Sequence, residues 1–252
     1  MSRIVLLLIL LVSTFAQNVE VKSSLNSIQI QNDVNPSVSV YGALFEIMHK
    51  GDISSRVNLI QFDNNPNFFA LGALKDLAGE ILIIDSKPYI SYETDNGKVG
   101  ISNKFNHQAS LLVSASVDDW ITLKLPDRVN TKEQLEQYFE EISEEYNLDT
   151  NSPFPFMIKG VTSTLGWHII NWDKSDTVHT HQKHIDSGLS GVLKDEPLTV
   201  LGFFSKKHKA IFTHHTTFLH MHFITGDKAI AGHVDNIHFG DEQILYIPNK
   251  AG

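Results

Sequence analysis

The sequence predicts an α+β fold with mixed β-sheets and few helices, arranged as two sheet-containing halves. Short runs that alternate apolar and polar residues recur along most of the chain, and such runs are typical of half-buried strands. Few segments show the spacing of apolar residues that indicates a helix. A proline-containing stretch at residues 151–155 separates the clearest helix from the strand-rich sequence that follows. We therefore expect two sheets that each bury one face.

Composition excludes several classes of protein. The 252-residue chain has no cysteine, and it has 20 lysines and arginines against 29 aspartates and glutamates. No disulfide can stabilise it, but its length allows a substantial core. The acidic balance argues against nucleic acid as a partner, because phosphate binding requires a positive surface. Beyond the first apolar run, no segment is apolar enough to cross a membrane.

The amino terminus, MSRIVLLLILLVSTFAQ, has the pattern of a secretory signal peptide. Arg3 precedes an apolar run at residues 4–12, and small residues follow up to Ala16. The run is shorter than the ~20 apolar residues that span a bilayer. Residues 1–16 are therefore interpreted as a signal peptide, with an uncleaved anchor as the alternative.

The periplasmic or extracellular protein should have its N-terminus near Gln17, as determined by N-terminal sequencing. An intact Met1 would contradict cleavage.

Residues 17–150 form the predicted N-terminal half. A short helix is expected at residues 43–48, ended by Gly51. The runs EILIID and KPYISYE predict strands, and Asp95-Asn96-Gly97 predicts a hairpin turn after them. HQASLLVSASV and WITLKLP are expected to continue this sheet.

The clearest helix is TKEQLEQYFEEISEEYN. Thr131 and Gln134 match a capping box, in which each side chain bonds the backbone of the other residue. Apolar residues at helical spacing predict one buried stripe. The stripe comprises Leu135, Tyr138, Phe139, Ile142 and Tyr146.

Residues 151–252 form the predicted C-terminal half, in which strands dominate. They are expected at FMIKGVTST, WHIINWD, TVLGFFS, AIFTH, FLHMHFI, AIAGHVDNIHF and QILYIP. Eleven of the thirteen histidines lie in this half. A metal site, if there is one, is therefore expected here.

The strands FLHMHFI and AIAGHVDNIHF are joined by Gly226-Asp227, a pair that suits a two-residue type II′ turn. This turn would place His233 opposite His220 and Ala231 opposite His222. Because side chains alternate with period two, the three histidines would share one face. Three imidazoles with an open fourth position are common at catalytic metals. Imidazole suits zinc, copper, iron and nickel, so ligand type does not choose among them.

Further residues are candidates for a pocket or for orienting a metal ligand. Asp235 shares the face of His233 and could bond its second ring nitrogen. At most one of His214 and His215 would reach the metal, because adjacent strand residues face opposite ways. The run TVHTHQKHID adds three histidines in a polar loop, where a solvated or pocket-edge position is expected.

HMHFITGDKAIAGHVD resembles the H-x-H…G-H-h-x-D segment of α-acetolactate decarboxylases. LGALKDLAGEILIIDSKPY is similar to the family's L-x-G-E segment, DRVNTKEQLEQYFEE to its middle helix, and PFPFMIKG to a short phenylalanine-rich strand. The resemblance covers residues 40–248 and implies an exported, divergent member of the family with its α+β fold.

The resemblance also implies a site and a reaction. Family members bind zinc through three histidines, which correspond to His220, His222 and His233. A glutamate of the L-x-G-E segment, here Glu80, lies near their metal and is the candidate catalytic acid. The implied reaction converts (S)-2-acetolactate, a 2-hydroxy-3-keto acid, to (R)-acetoin and carbon dioxide. The implied cofactor is Zn²⁺ or another divalent transition metal, and a homodimer is an assembly left open.

The sequence departs from the family pattern at three places. Ala73 stands where the family has threonine, and GWHIINWDKSD lacks the arginine of the corresponding segment. Lys159, Lys174 and His168 are candidates to supply that positive charge, and Lys159 is also a pocket candidate. The family's C-terminal tail, whose glutamate reaches the metal, is expected to be missing after YIPNKAG. Two other functions stay open: a non-catalytic metal- or ligand-binding protein, and a cupin-like metalloenzyme such as an oxygenase.

Overall fold

The computed structural model describes residues 20–24, 27–31 and 34–249. The predicted signal peptide, residues 1–16, lies outside the described residues. The predicted α+β class is confirmed, because two β-sheets and three short α-helices make up the regular structure of the described residues, apart from short 3₁₀ turns. No helix in this part of the chain has the length and apolar character that crossing a bilayer requires.

The first sheet contains nine strands. In chain order they are β1 (Glu20–Ser24), β2 (Ser27–Gln31), β3 (Val38–Tyr41), β4 (Val57–Asn58), β5 (Phe68–Leu74), β6 (Glu80–Ile84), β7 (Lys87–Glu93), β8 (Val99–Ser102) and β9 (Gln108–Ser116). In space they run β1-β2-β3-β9-β5-β6-β7-β8, and β4 pairs with β9. Helix α1 (Leu44–Lys50) ends at Gly51, whose φ of 64° is the left-handed conformation expected of a C-terminal cap.

The second sheet contains six strands. They are β10 (Trp120–Lys124), β11 (Phe154–Ile169), β12 (Leu189–Phe204), β13 (Leu219–Thr225), β14 (Ala231–Phe239) and β15 (Ile244–Pro248). Their order is β10-β15-β11-β12-β13-β14, and β14 also pairs with β11. Helices α2 (Lys132–Ile142) and α3 (His181–Asp186) are inserted between these strands in the chain. The strand pairs are antiparallel, as short hairpin connections allow.

The two sheets pack face to face through one apolar cluster. Phe69, Leu71 and Val113 of the first sheet belong to the same buried cluster as Leu201 and Phe203 of the second. Burial of this area removes apolar surface from water and holds the sheets at a fixed spacing. Residues at the edge of this contact border the cavity described below, so the packing of the sheets positions the site.

The predicted capping box begins helix α2. Thr131 Oγ1 accepts from the Gln134 backbone at 3.4 Å, and Gln134 Oε1 accepts from the Thr131 backbone at 3.1 Å. The apolar stripe of the helix packs into the core of the second sheet. The cap therefore determines which residue, Lys132, opens the helix.

Thr131→Ala should lower the free energy of unfolding by about 1 kcal/mol, because the alanine cannot accept the Gln134 N–H. For a chain of this size the melting temperature should fall by roughly 2–4 °C. Calorimetry of this variant and of Thr177→Ala, an exposed threonine, checks the expectation. Equal melting temperatures for the two variants would contradict it.

Several strand predictions require correction. WITLKLP forms β10, which pairs with β15 of the second sheet and does not continue the first. The chain therefore changes sheets by residue 120, earlier than the boundary expected at residue 151. FMIKGVTST and the start of WHIINWD form one strand, β11, and AIFTH contributes only an isolated bridge between Lys209 and Thr213. Alternation of apolar residues identifies a strand, but it does not identify the partner of that strand.

Candidate active site

The β13–β14 hairpin closes with a longer turn than the sequence predicted. The Thr225 N–H donates to the Ile230 oxygen, so residues 226–229 form a four-residue loop and the expected two-residue turn is wrong. Asp227 stabilises the longer loop, because its carboxylate accepts from Thr225 Oγ1 at 2.7 Å and from the Ala229 N–H at 2.9 Å. The pairing of the two strands is consequently shifted by two residues.

The shifted hairpin still brings the three histidines together. His233 pairs with His222, whereas the predicted turn would place it opposite His220. A shift of two residues leaves every side chain on its original face, because faces alternate with period two. The ring centroid of His220 lies 5.0 Å from that of His222 and 5.4 Å from that of His233. One ligand nitrogen from each ring lies within 4.8 Å of the others, so together they could hold a metal ion.

The protonation of these rings suits a divalent transition metal. Burial lowers the pKa of His233 to about 4 and holds the pKa values of His220 and His222 well below the usual range. Neutral imidazole is the form that binds metals. The Nε2 atoms of His220 and His222 lie 3.2 Å apart. A cation between the rings would use nitrogen lone pairs that otherwise face each other.

Asp235 orients the ring of His233 and joins it to His168. Its Oδ1 lies 3.1 Å from His233 Nδ1 and 2.7 Å from His168 Nδ1. A hydrogen bond to Nδ1 leaves Nε2 of His233 for the metal. Burial opposes ionisation of Asp235, but the hydrogen bonds from the two rings outweigh it and lower its pKa. Burial by itself would lower the pKa of His168. The hydrogen bond to Asp235 and the charges of Glu80 and Asp235 outweigh burial, so the pKa of His168 is raised.

Glu80, the first residue of β6, reaches the histidines from the first sheet. Its Oε2 lies 3.7 Å from His222 Nε2, and its Oε1 lies 3.8 Å from His168 Nε2. Oε1 also accepts from the Ile170 N–H at 3.2 Å. The residue is 4% exposed, and burial raises the pKa of its carboxyl to about 8. This corner of the cavity therefore holds a carboxyl group that resists ionisation.

Gly79 explains why a glycine precedes this glutamate. Its φ is 146°, and a Cβ atom there would lie 2.3 Å from the Ser91 oxygen on β7. Only glycine allows the backbone to approach β7 this closely. The G-E pair is therefore a structural requirement that brings Glu80 into the cavity.

The site opens into a cavity between the sheets, with a volume of about 150 Å³. Drug-sized ligands occupy pockets of roughly 300–1,000 Å³, so this cavity suits a smaller molecule. Apolar residues of α1 and β9 form part of its wall, and the histidines, Glu80 and Asp235 supply its polar groups. A small ligand with a few oxygen atoms and a short apolar part matches this lining.

The other candidate residues are divided between the cavity and the surface. His214 lines the cavity, whereas the adjacent His215 is exposed and lies outside the lining. Lys159 is exposed, with its Nζ 4.9 Å from the Tyr246 ring, which corrects its expected place in the pocket. Lys174 is exposed and pairs with Asp76 at 3.1 Å. Neither lysine therefore supplies the missing charge to this cavity.

The second half of the run TVHTHQKHID forms α3, where a loop is expected from the sequence, and residues 177–180 before it are irregular. His181 and His184 line the cavity, and His179 Nδ1 lies 2.9 Å from His184 Nε2. Burial lowers the pKa of His184 to about 3, so this ring is neutral. The pocket-edge position expected for these residues agrees with this placement.

Sequence reasoning missed Lys132 as a residue of the cavity. One signal could have found it: a lysine in the first turn of a helix opposes the helix dipole and suggests another role. His168 was considered only as a source of positive charge. Its pairing with His233 across β11 and β14 places it beside the histidine cluster.

The fold and the cavity define the class: a two-sheet α+β protein with a histidine-lined cavity. The family model for alpha-acetolactate decarboxylase matches residues 38–248, and this chain belongs to that family. No curated protein matches the chain significantly.

Solved structures share the fold at low sequence identity. Acetolactate decarboxylase from Bacillus subtilis subspecies spizizenii has a TM-score of 0.66 and 15% identity, over 83% of this chain and 84% of that one. Alpha-acetolactate decarboxylase from Bacillus subtilis strain 168 has a TM-score of 0.63 and 14% identity, over 83% and 88% of the two chains. A Staphylococcus aureus protein of unknown function, described as similar to alpha-acetolactate decarboxylase, has a TM-score of 0.59 and 17% identity, over 84% of each chain.

Proposed function

We propose that this protein is an exported, zinc-dependent decarboxylase that converts (S)-2-acetolactate to (R)-acetoin and carbon dioxide. The observation that carries the proposal is the position of Glu80, whose carboxyl lies 3.7 Å from His222 Nε2 in a cluster of neutral imidazoles. Family membership supports the reaction type. Together they favour this reaction over that of a cupin-like oxygenase.

His220, His222 and His233 would hold the metal, and Asp235 would keep the ring of His233 turned toward it. When bound, a divalent metal supplies a Lewis acid for the neighbouring hydroxyl and ketone oxygens of the substrate. The buried histidines contribute neutral nitrogen ligands and no competing charge.

Glu80 is the candidate acid. Loss of carbon dioxide breaks the bond between the carboxylate and the substituted carbon, and the bonding electron pair stays with the substrate. That carbon must then accept a proton on one face to give a single enantiomer of acetoin. Burial raises the pKa of this carboxyl in the metal-free cavity, which favours its protonated form, and the bond to the Ile170 N–H fixes the direction from which the proton would be delivered.

The test uses the purified mature protein with its metal content measured. Racemic 2-acetolactate is added, carbon dioxide is quantified, and acetoin is resolved by chiral chromatography. Half of the racemate should be consumed, with (R)-acetoin as the product. Stoichiometric zinc without turnover would contradict the proposal.

A second candidate is a metal- or ligand-binding protein that has lost the reaction. Ala73 favours it, because this methyl lines the cavity where a threonine hydroxyl is expected in the family. No arginine lines the cavity among the described residues either. Zinc and ligand binding without carbon dioxide release would support this candidate.

A further inference from the structure

We propose that Lys132 binds the carboxylate of the ligand, so that the cavity selects small carboxylic acids over their neutral analogues. The inference rests on the proposed function for the identity of the ligand. Lys132 is the only lysine or arginine among the described residues that line the cavity. It lies on α2, far in sequence from the segment where the family resemblance led us to expect an arginine.

The surroundings of Lys132 leave its charge available to a ligand. Its Nζ donates to the backbone oxygen of Asp235, and no ion pair involves it among the described residues. A lysine ammonium has three N–H donors, and a single backbone acceptor uses one of them. The residue is only partly exposed, although lysine is seldom buried without a partner. Burial lowers the pKa of Lys132, and the charges of Asp235, Glu133 and Glu136 oppose that effect. A ligand carboxylate in direct contact would stabilise the charged ammonium further.

The position of Lys132 is held at both ends of the first helical turn. The Thr131 cap fixes the start of α2. Four residues later on the same face, Glu136 accepts from the Phe218 N–H at 2.8 Å and from Thr217 Oγ1. Thr217 itself lines the cavity. These bonds attach the helix to the cavity wall before any ligand arrives, so binding would require little ordering of the backbone.

The charges of the cavity also favour such a group. Asp235 is the ionised acidic residue of the lining, and its negative charge disfavours an anionic ligand unless a cation lies nearby. The ammonium of Lys132 is a point charge without the planar geometry of arginine. It therefore attracts a carboxylate without dictating one orientation. When neutral carbon dioxide departs, the negative charge stays on the remaining substrate and no longer lies on the carboxylate that Lys132 contacts, so Lys132 should strengthen substrate binding more than it accelerates the reaction.

Calorimetry on the zinc-loaded protein tests the proposal with two ligands of equal size: 2-hydroxy-2-methylpropanoate and its neutral amide. The wild type should bind the carboxylate more tightly. Lys132→Met should weaken carboxylate binding by about 10- to 100-fold and leave amide binding unchanged. Lys132→Arg should retain most of the affinity. Lys159→Met, which removes an exposed lysine outside the cavity, should bind both ligands as the wild type does.

Three outcomes would overturn the proposal. The first is a wild type that binds the carboxylate no more tightly than the amide, and the second is a Lys132→Met variant that still binds the carboxylate more tightly. The third is an equal loss of affinity for both ligands in Lys132→Met, which would indicate damage to the cavity. Zinc content and melting temperature of each variant confirm that the protein compared is folded and loaded. The test is independent of turnover. Loss of the carboxylate preference in Lys132→Met would support the role of Lys132 even if the wild type released no carbon dioxide from acetolactate, a result that would refute only the proposed reaction.

Discussion

Replacing His222 with alanine should abolish stoichiometric zinc binding and remove most of the stabilisation that zinc provides. His222 is fully buried, and its ring nitrogen faces His220 at 3.2 Å. A ligand at a thousandfold excess over its Kd stabilises a protein by roughly 4 kcal/mol. For a chain of this length that corresponds to about 8–16 °C in melting temperature. Metal analysis and calorimetry with and without zinc measure both effects.

The comparison within each variant separates metal loss from damage to the core. Alanine at residue 222 also leaves a void, which lowers the melting temperature whether or not zinc is present. The decisive quantity is therefore the rise in melting temperature on addition of zinc. His238→Ala, an exposed histidine on the same hairpin, should show the full rise. A full rise in His222→Ala would show that this residue is not a ligand.

Glu80→Gln should reduce kcat by about 100- to 10,000-fold, the range expected when a positioned acid is lost. The amide oxygen of glutamine can still accept the Ile170 N–H, so the variant should fold and retain zinc. It cannot transfer a carboxylic proton to the substrate carbon. Steady-state kcat and single-turnover measurement of acetoin formation, the step that needs the proton, check the expectation.

The matched control for this variant is Glu93→Gln. Glu93 lies at the end of the neighbouring strand β7 and bonds Asn171 outside the cavity. The Glu93→Gln variant should convert 2-acetolactate at the wild-type rate. If Glu80→Gln kept the wild-type kcat and still gave (R)-acetoin, Glu80 could not be the proton donor, and the acid would have to be sought elsewhere in the cavity.

The histidine hairpin shows how far local patterns reach. The alternation in β13 was sufficient to place His220 and His222 on one face, whatever the turn. The register was not predictable from Gly226-Asp227 alone, because the side chain of Asp227 extends the loop through two hydrogen bonds. The site survived the error because the shift was an even number of residues.

Glu80 and His168 show where local patterns stop. A glutamate at the start of a strand is ordinarily exposed, and only the resemblance to the family pointed to the cavity. Its bond to the Ile170 N–H joins residues 90 positions apart. His168 reaches Asp235 across 67 positions. The spacing of residues near Glu80 and His168 in the sequence does not predict either contact.

The sequence by itself determined the elements whose stabilising contacts lie within a few residues: the capped helix α2, the Gly51 end of α1 and the common face of the strand histidines. The tertiary structure decided that β10 joins the second sheet and that Glu80 and Lys132 line the same cavity. Lys132 bonds a residue 103 positions away. Hydrogen bonds and side-chain periodicity within a turn are local and appear in the sequence pattern. Strand pairing and the lining of a cavity depend on which apolar faces, distant in sequence, pack together. Many strands have the same alternation of apolar residues, so this alternation does not identify which faces pack against each other.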